Sequence, residues 1–133
     1  MKDFRPLFVI ENLQLKFQYE SAFLVNYKTG QVLLEYHFYG DPTCGLVADD
    51  EAYALIGGDH LTNWTPRKSK RFDDGPRWIY AIREKDQMRA EFLTDPWHED
   101  SAIWEINTLT FEIQKVRDFL DYHDKEYVDE VIW

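Results

Sequence analysis

Ala22-Phe23-Leu24-Val25-Asn26-Tyr27, then Lys28-Thr29-Gly30, then Val32-Leu33-Leu34-Glu35-Tyr36-His37-Phe38-Tyr39 is the stretch that decides the fold. Two short runs rich in β-branched and aromatic residues, joined by a glycine-bearing turn, predict a β-hairpin. Upstream, Leu13, Leu15, Phe17 and Tyr19 alternate with Gln14, Lys16, Gln18 and Glu20. Period two over eight residues predicts a strand with one wet face. Glu20-Ser21 turns it into the hairpin, giving three consecutive antiparallel strands. Leu7–Ile10 adds an edge strand, with Pro6 ahead of it where a missing donor costs little.

Downstream the character changes. Leu46-Val47-Ala48 and Tyr53-Ala54-Leu55-Ile56 flank Asp49-Asp50-Glu51 and predict a second hairpin around an acidic turn. Between Tyr36 and Trp64 there are five carboxylates and no Lys or Arg. His60–Thr65 reads as a further short strand. Pro66–Pro76 reads as a loop, bracketed by proline and glycine and rich in Arg and Lys. Trp78–Ile82 with Met88–Leu93, and Ala102–Ile106 with Phe111–Ile113, predict two more hairpins. From Lys115 the period lengthens: Val116, Phe119, Leu120, His123 and Tyr127 fall on one face of a helix. The expected architecture is therefore mainly β, with α+β as the variant: successive antiparallel hairpins and one short C-terminal helix. Hairpin units of this kind look like single propeller blades. A blade takes about 40 residues and a propeller at least four blades, which excludes a propeller for this length.

The 133 residues are read as one domain, residues 1–133. Twenty-five acids against fifteen bases leave a formal charge of −10. A surface this acidic repels nucleic acid and anionic membranes and draws in cationic partners. The single cysteine, Cys44, excludes an internal disulfide and suits a reducing compartment. The apolar run Leu7–Ile10 is too short for a signal-peptide core or a membrane span, so the expected address is cytoplasmic.

No phosphate-cradling, dinucleotide-binding, nucleophile-elbow or zinc-protease motif is present. His37, His60, His98 and His123 lie in four separate segments, and no metal or cofactor is expected. Cys44 with His37 or His60 as base, or a His/Asp cluster brought together by folding, would make a small hydrolase or metal-dependent enzyme. The acids instead mark a surface for a partner. Asp41, Asp49, Asp50, Glu51 and Asp59 form one acidic region. Asp118, Asp121, Tyr122, Asp124 and Tyr127 form a second, which mixes acids with aromatic rings as a steering rim with a hot spot does.

In size, charge and texture, through segments such as Tyr36–Trp64 and Asp118–Trp133, the chain resembles the small acidic immunity proteins of bacterial polymorphic and contact-dependent toxin systems. The resemblance implies a non-enzymatic antitoxin that occludes the active site of a cognate, often basic, toxin. Phage proteins that mimic the charge of DNA share the same texture and are the alternative.

Overall fold

The computed structural model describes residues 4–133, and its regular structure is twelve β-strands. β1 (Arg5–Val9), β2 (Leu13–Gln18), β3 (Ser21–Asn26) and β4 (Val32–His37) form one antiparallel meander. β5 (Cys44–Val47), β6 (Ala54–Gly57), β7 (Leu61–Trp64) and β8 (Ser69–Phe72) form a second. β9 (Ile79–Glu84), β10 (Arg89–Thr94), β11 (Ala102–Asn107) and β12 (Ile113–Asp118) form the third. The first strands of the three sheets lie side by side, β1 against β5 and β5 against β9.

The sheets stack face to face, and the alternation in each strand says which face is covered. Leu13, Leu15, Ala22, Leu24 and Leu34 of the first sheet pack against Val47, Ala54, Ile56 and Trp64 of the second. From its other face the second sheet sends Leu46, Leu55, Leu61 and Phe72 against Ile79, Ala90, Phe92 and Ile106 of the third. The middle sheet is thus covered on both faces, and every residue of β6 and β7 is buried. Two glycines permit the close approach: a Cβ on Gly45 would sit 2.3 Å from Leu15 Cδ2, and one on Gly57 2.7 Å from Ile79 Cγ2.

The mainly β reading holds, with three corrections. The C-terminal helix is absent: Ile113–Asp118 pairs with β11 as β12, and 119–133 has no regular structure. Val116 and Leu120, which a helix would bury, are exposed, and only Phe119 of that stripe is fully covered. Ladder hydrogen bonds to β11 outcompete a helix whose last turns would carry acids against its dipole. Within the expected loop 66–76, Ser69–Phe72 forms β8, an edge strand whose exposed Lys70 and Arg71 suit an unpaired edge. Finally, the last two expected hairpins join through β10 and β11 into one four-stranded sheet, and β7 and β8 extend the second hairpin into another, while the first sheet has the four strands expected of it.

Candidate partner-binding surface

Connections in a meander alternate between two ends. The links 38–43 and 73–78 between sheets share one end with the β6–β7 and β10–β11 turns, and backbone bonds tie them together. The Trp78 amide donates to the Asp59 carbonyl (3.1 Å), and the Asp95 amide to the Trp78 carbonyl (2.9 Å).

Asp59 is the knot of this end. Its buried carboxylate accepts from the Tyr39 amide (3.0 Å), from His60 Nδ1 (3.0 Å) and from the Arg77 guanidinium (3.2 Å), while Arg77 Nε also donates to its carbonyl. Burial pushes the carboxyl upward, but the Tyr39 amide, His60 and Arg77 outweigh it and hold Asp59 below the usual range. Burial lowers His60 in turn, so the ring is neutral near pH 7. With Asp59 ionised, His60 Nδ1 donates to it and Nε2 accepts from the Thr62 hydroxyl (3.1 Å). The ring stacks on Phe38 at 4.2 Å. Asp59 is thus a structural clamp, and its carboxylate is turned inward, away from any partner.

What the clamp positions is Trp78. Its φ of 59° is a left-handed conformation that a bulky residue adopts only when its surroundings fix it. The indole is half-exposed and meets Tyr39 edge-on. Beside it opens a cavity of about 320 Å³ lined by Pro76, Arg77, Trp78, Thr94, Asp95, His98, Asp100, Ser101 and Trp104. Charge in this cavity does not balance. Arg77 is committed to Asp59. His98 Nδ1 accepts the Asp100 amide (3.0 Å) and lies 3.8 Å from Asp100 Oδ2. Among the described residues no Lys or Arg pairs with Asp95 or Asp100, which line the cavity with two indoles, an arrangement that favours a basic side chain by Coulomb and cation–π attraction together.

The residues expected from sequence fall in three places. Asp41 is at this end, in the link that carries Tyr39, beside a separate cavity with Arg5, Phe17, Gln18 and Tyr19. Asp49, Asp50 and Glu51 lie at the opposite end in the β5–β6 turn, where Glu51 accepts from Asn12 Nδ2 (2.9 Å). Asp118, Asp121, Tyr122, Asp124 and Tyr127 belong to the end of β12 and the strap after it. There Lys115 pairs with Asp118 (2.5 Å), the Tyr122 hydroxyl accepts the Ile132 amide (3.0 Å), and Tyr127 lies 5.0 Å from Trp97. Sequence reasoning missed Trp78, Asp95, Asp100 and Trp104 as a group. Trp78 reads as the first residue of a strand, and only its place after Pro76-Arg77 hints that it stands outside the ladder.

Cys44 is placed as a packing residue. A Cβ on Gly57 would lie 2.7 Å from its sulfur, and the neighbour at hydrogen-bond range is the Thr43 hydroxyl (3.6 Å). Burial pushes the thiol up to about 12, only partly offset by bonds from Thr43 and Gly57. His60 has both ring nitrogens engaged elsewhere, and His37 bonds Ser21 (2.7 Å). Iodoacetamide at pH 8 is expected to alkylate folded Cys44 at least about 100-fold more slowly than the urea-unfolded chain, because only the thiolate reacts. Equal rates would mean an accessible, ionised thiol.

Comparison by sequence matches no family model and no curated protein. Among solved structures the chain is similar to a Kuenenia stuttgartiensis hydrazine synthase chain: TM-score 0.55 and 20% identity, over 80% of this chain and 32% of that one. It is also similar to the β-propeller domain of Cps50 (Swd1) from Myceliophteria thermophila: TM-score 0.54 and 8% identity, over 80% of this chain and 34% of that one. The likeness is one of fold. Three stacked four-stranded meanders match an arc of propeller blades, and the chain spans about a third of each of these neighbours. Exclusion by length applies to a closed ring; the blade itself is the repeating unit here. No helix among the described residues is long and apolar enough to cross a membrane.

Proposed function

We propose that this chain is a non-enzymatic binding protein that holds a cationic protein partner at its loop end, with a lysine or arginine of the partner seated between Trp78 and Trp104. The observation that carries this reading is the cavity in which Asp95 and Asp100, paired with no Lys or Arg among the described residues, stand beside two indoles, one of them in a residue held in a left-handed conformation. The net charge of −10 would raise the encounter rate with such a partner. The resemblance to small acidic immunity proteins supports a toxin domain as the partner, neutralised by occlusion of its active site.

The test is co-expression with a candidate basic toxin domain, together with affinity measured on the purified pair. Trp78→Ala is expected to weaken binding by about 2–4 kcal/mol, the cost of removing a central aromatic anchor. Asp95→Lys with Asp100→Lys is expected to abolish protection. Raising salt should slow association and leave dissociation nearly unchanged. Unchanged affinity in both folded variants would overturn this assignment of the surface. The contact would then pass to Asp49–Glu51 or to Asp121 and Asp124, tested by their own reversals to Lys.

A further inference from the structure

The Trp78 cavity is continued beyond Trp104. Pro76 and Trp104 line that cavity and also a second, larger groove of about 730 Å³ between the outer strands of the second and third sheets. Strand direction fixes what stands where along it. β8 runs toward the loop end, so Lys70 lies far from that end, Phe72 nearer, and Asp74 and Pro76 follow in the link. β11 runs the other way, so Trp104 lies midway and the β11–β12 turn brings Phe111 and Ile113 to the far end. The floor is apolar because Phe72, Trp104, Phe111 and Ile113 all pack into the core between these two sheets.

Charge along the groove is polarised. At the far end Lys68 Nζ lies 5.0 Å from the Phe111 ring and Lys70 Nζ 4.9 Å from the Phe72 ring. Ring faces hold an ammonium group without cancelling its charge. Among the described residues no carboxylate pairs with either lysine, although acids outnumber bases twenty-five to fifteen in the chain. Arg71 pairs with Asp73 (2.6 Å) and donates to the His37 carbonyl (3.1 Å), so these two cancel. Toward the loop end stands Asp74, and beyond Trp104 stand Asp95 and Asp100. None of these three pairs with a Lys or Arg among the described residues.

From this we infer that the groove holds an extended segment of the partner protein that is basic at one end and acidic at the other. The basic side chain enters the Trp78 cavity, an apolar one lies on Phe72 and Trp104, and an acidic one meets Lys68 and Lys70. The inference rests on the reading of the Trp78 cavity given above and adds the rest of the bound segment to it. Its length follows from β11. From Ser101, which lines the cavity, to Ile106, paired with Ile113, the chain advances about 17 Å at about 3.4 Å per residue. An extended partner turns alternate side chains to one face, so charged residues about four apart, with an apolar one midway, span about 14 Å. Long side chains at the two ends cover the remainder.

The experiment titrates the full chain, isotopically labelled, with acetyl-Lys-Gly-Leu-Gly-Glu-Gly-amide at one fixed low ionic strength. Two controls carry glutamine in place of glutamate, and norleucine in place of lysine. On a chain of charge −10 an added carboxylate weakens a peptide unless a basic site receives it, so the sign of the effect decides. The glutamate peptide is expected to bind roughly threefold more tightly than the glutamine peptide, with saturable shifts at Phe72, Trp104 and Phe111. Lys68→Gln with Lys70→Gln changes two exposed side chains and leaves the core alone. It should erase the preference for glutamate and keep the preference for lysine over norleucine. Equal or weaker binding of the glutamate peptide, or a preference that survives the double variant, would overturn the inference while the Trp78 reading stands. Equal binding of the lysine and norleucine peptides would overturn that reading and the inference with it. Shifts of the same signals with protein concentration alone would assign the groove to a second copy of the chain and overturn the inference as well.

Discussion

Asp59→Ala is expected to destabilise the protein by about 3–5 kcal/mol, the range for breaking a buried, hydrogen-bonded charge pair on one side. The loss strands three donors at once: the Tyr39 amide, His60 Nδ1 and part of the Arg77 guanidinium. Each belongs to a different segment, so the substitution loosens the links between all three sheets. Stabilities of this size of domain run to about 5–15 kcal/mol, which makes such a loss a large share of the whole. Urea unfolding at pH 7 measures it, and a loss under about 1 kcal/mol would show that Asp59 is not the clamp. The pH dependence has a definite sign. The folded-state pKa of Asp59 is lowered, so its stabilisation is present above the unfolded value near 3.9 and is lost as pH falls through the folded one. His60 acts in the same direction. Its folded pKa is also lowered, so below about 6.5 the unfolded chain takes up the proton first and stability falls toward acid. His60→Gln should therefore flatten the decline between neutral pH and about pH 5, and Asp59→Asn the decline below it.

The parts of this architecture that were legible in the sequence are those where period and burial agree. Leu13–Phe17 alternates because β2 buries Leu13 and Leu15 on one face, whereas Tyr19, expected to continue that face, lies exposed in the β2–β3 turn at a φ of 55°; the turn Lys28-Thr29-Gly30 is a turn because Gly30 takes a φ of 75°. Ser69–Phe72 carried no such signal. An edge strand buries little, and three of its four residues are exposed. The stacking was hidden for another reason. Whether a strand is covered on one face or two depends on its neighbours, and β6, Ala54-Leu55-Ile56-Gly57, reads the same in a lone hairpin as in the middle of three sheets. The site divided along the same line. The excess of acid was plain from composition. Which acids stay unpaired, and beside which aromatic rings, depends on contacts between turns far apart in sequence, such as Trp78 with Asp59 and Asp95. Asp59 illustrates the hazard of reading acids as surface: it lies in an acidic run and is among the most deeply used carboxylates in the molecule.

Phe119→Ala is expected to cost about 3–5 kcal/mol, the range for emptying a fully buried aromatic site. Among the described residues, the strap 119–133 covers the outer face of the third sheet. Phe119 is 0% exposed and packs with Leu93, Ile103 and Val131, bordered by Tyr80, Trp97, Tyr122 and Trp133. Its amide donates to the Ser101 carbonyl (2.8 Å), which fixes where the chain leaves β12. Arg83 holds the far end, donating to the Trp133 carbonyl and lying 3.9 Å above its ring. A strap without helical hydrogen bonds has little stability of its own, so it stays down only through such anchors. Removing Phe119 should therefore do two things together: lower global stability, and speed tryptic cleavage after Lys125 as the strap lifts. A C-terminal helix would respond differently, since its own backbone bonds would protect Lys125 after the anchor is lost, and it would add a helical signal to the far-ultraviolet circular dichroism. A variant that unfolds like wild type and cleaves no faster at Lys125 would refute the strap as the cover of the third sheet.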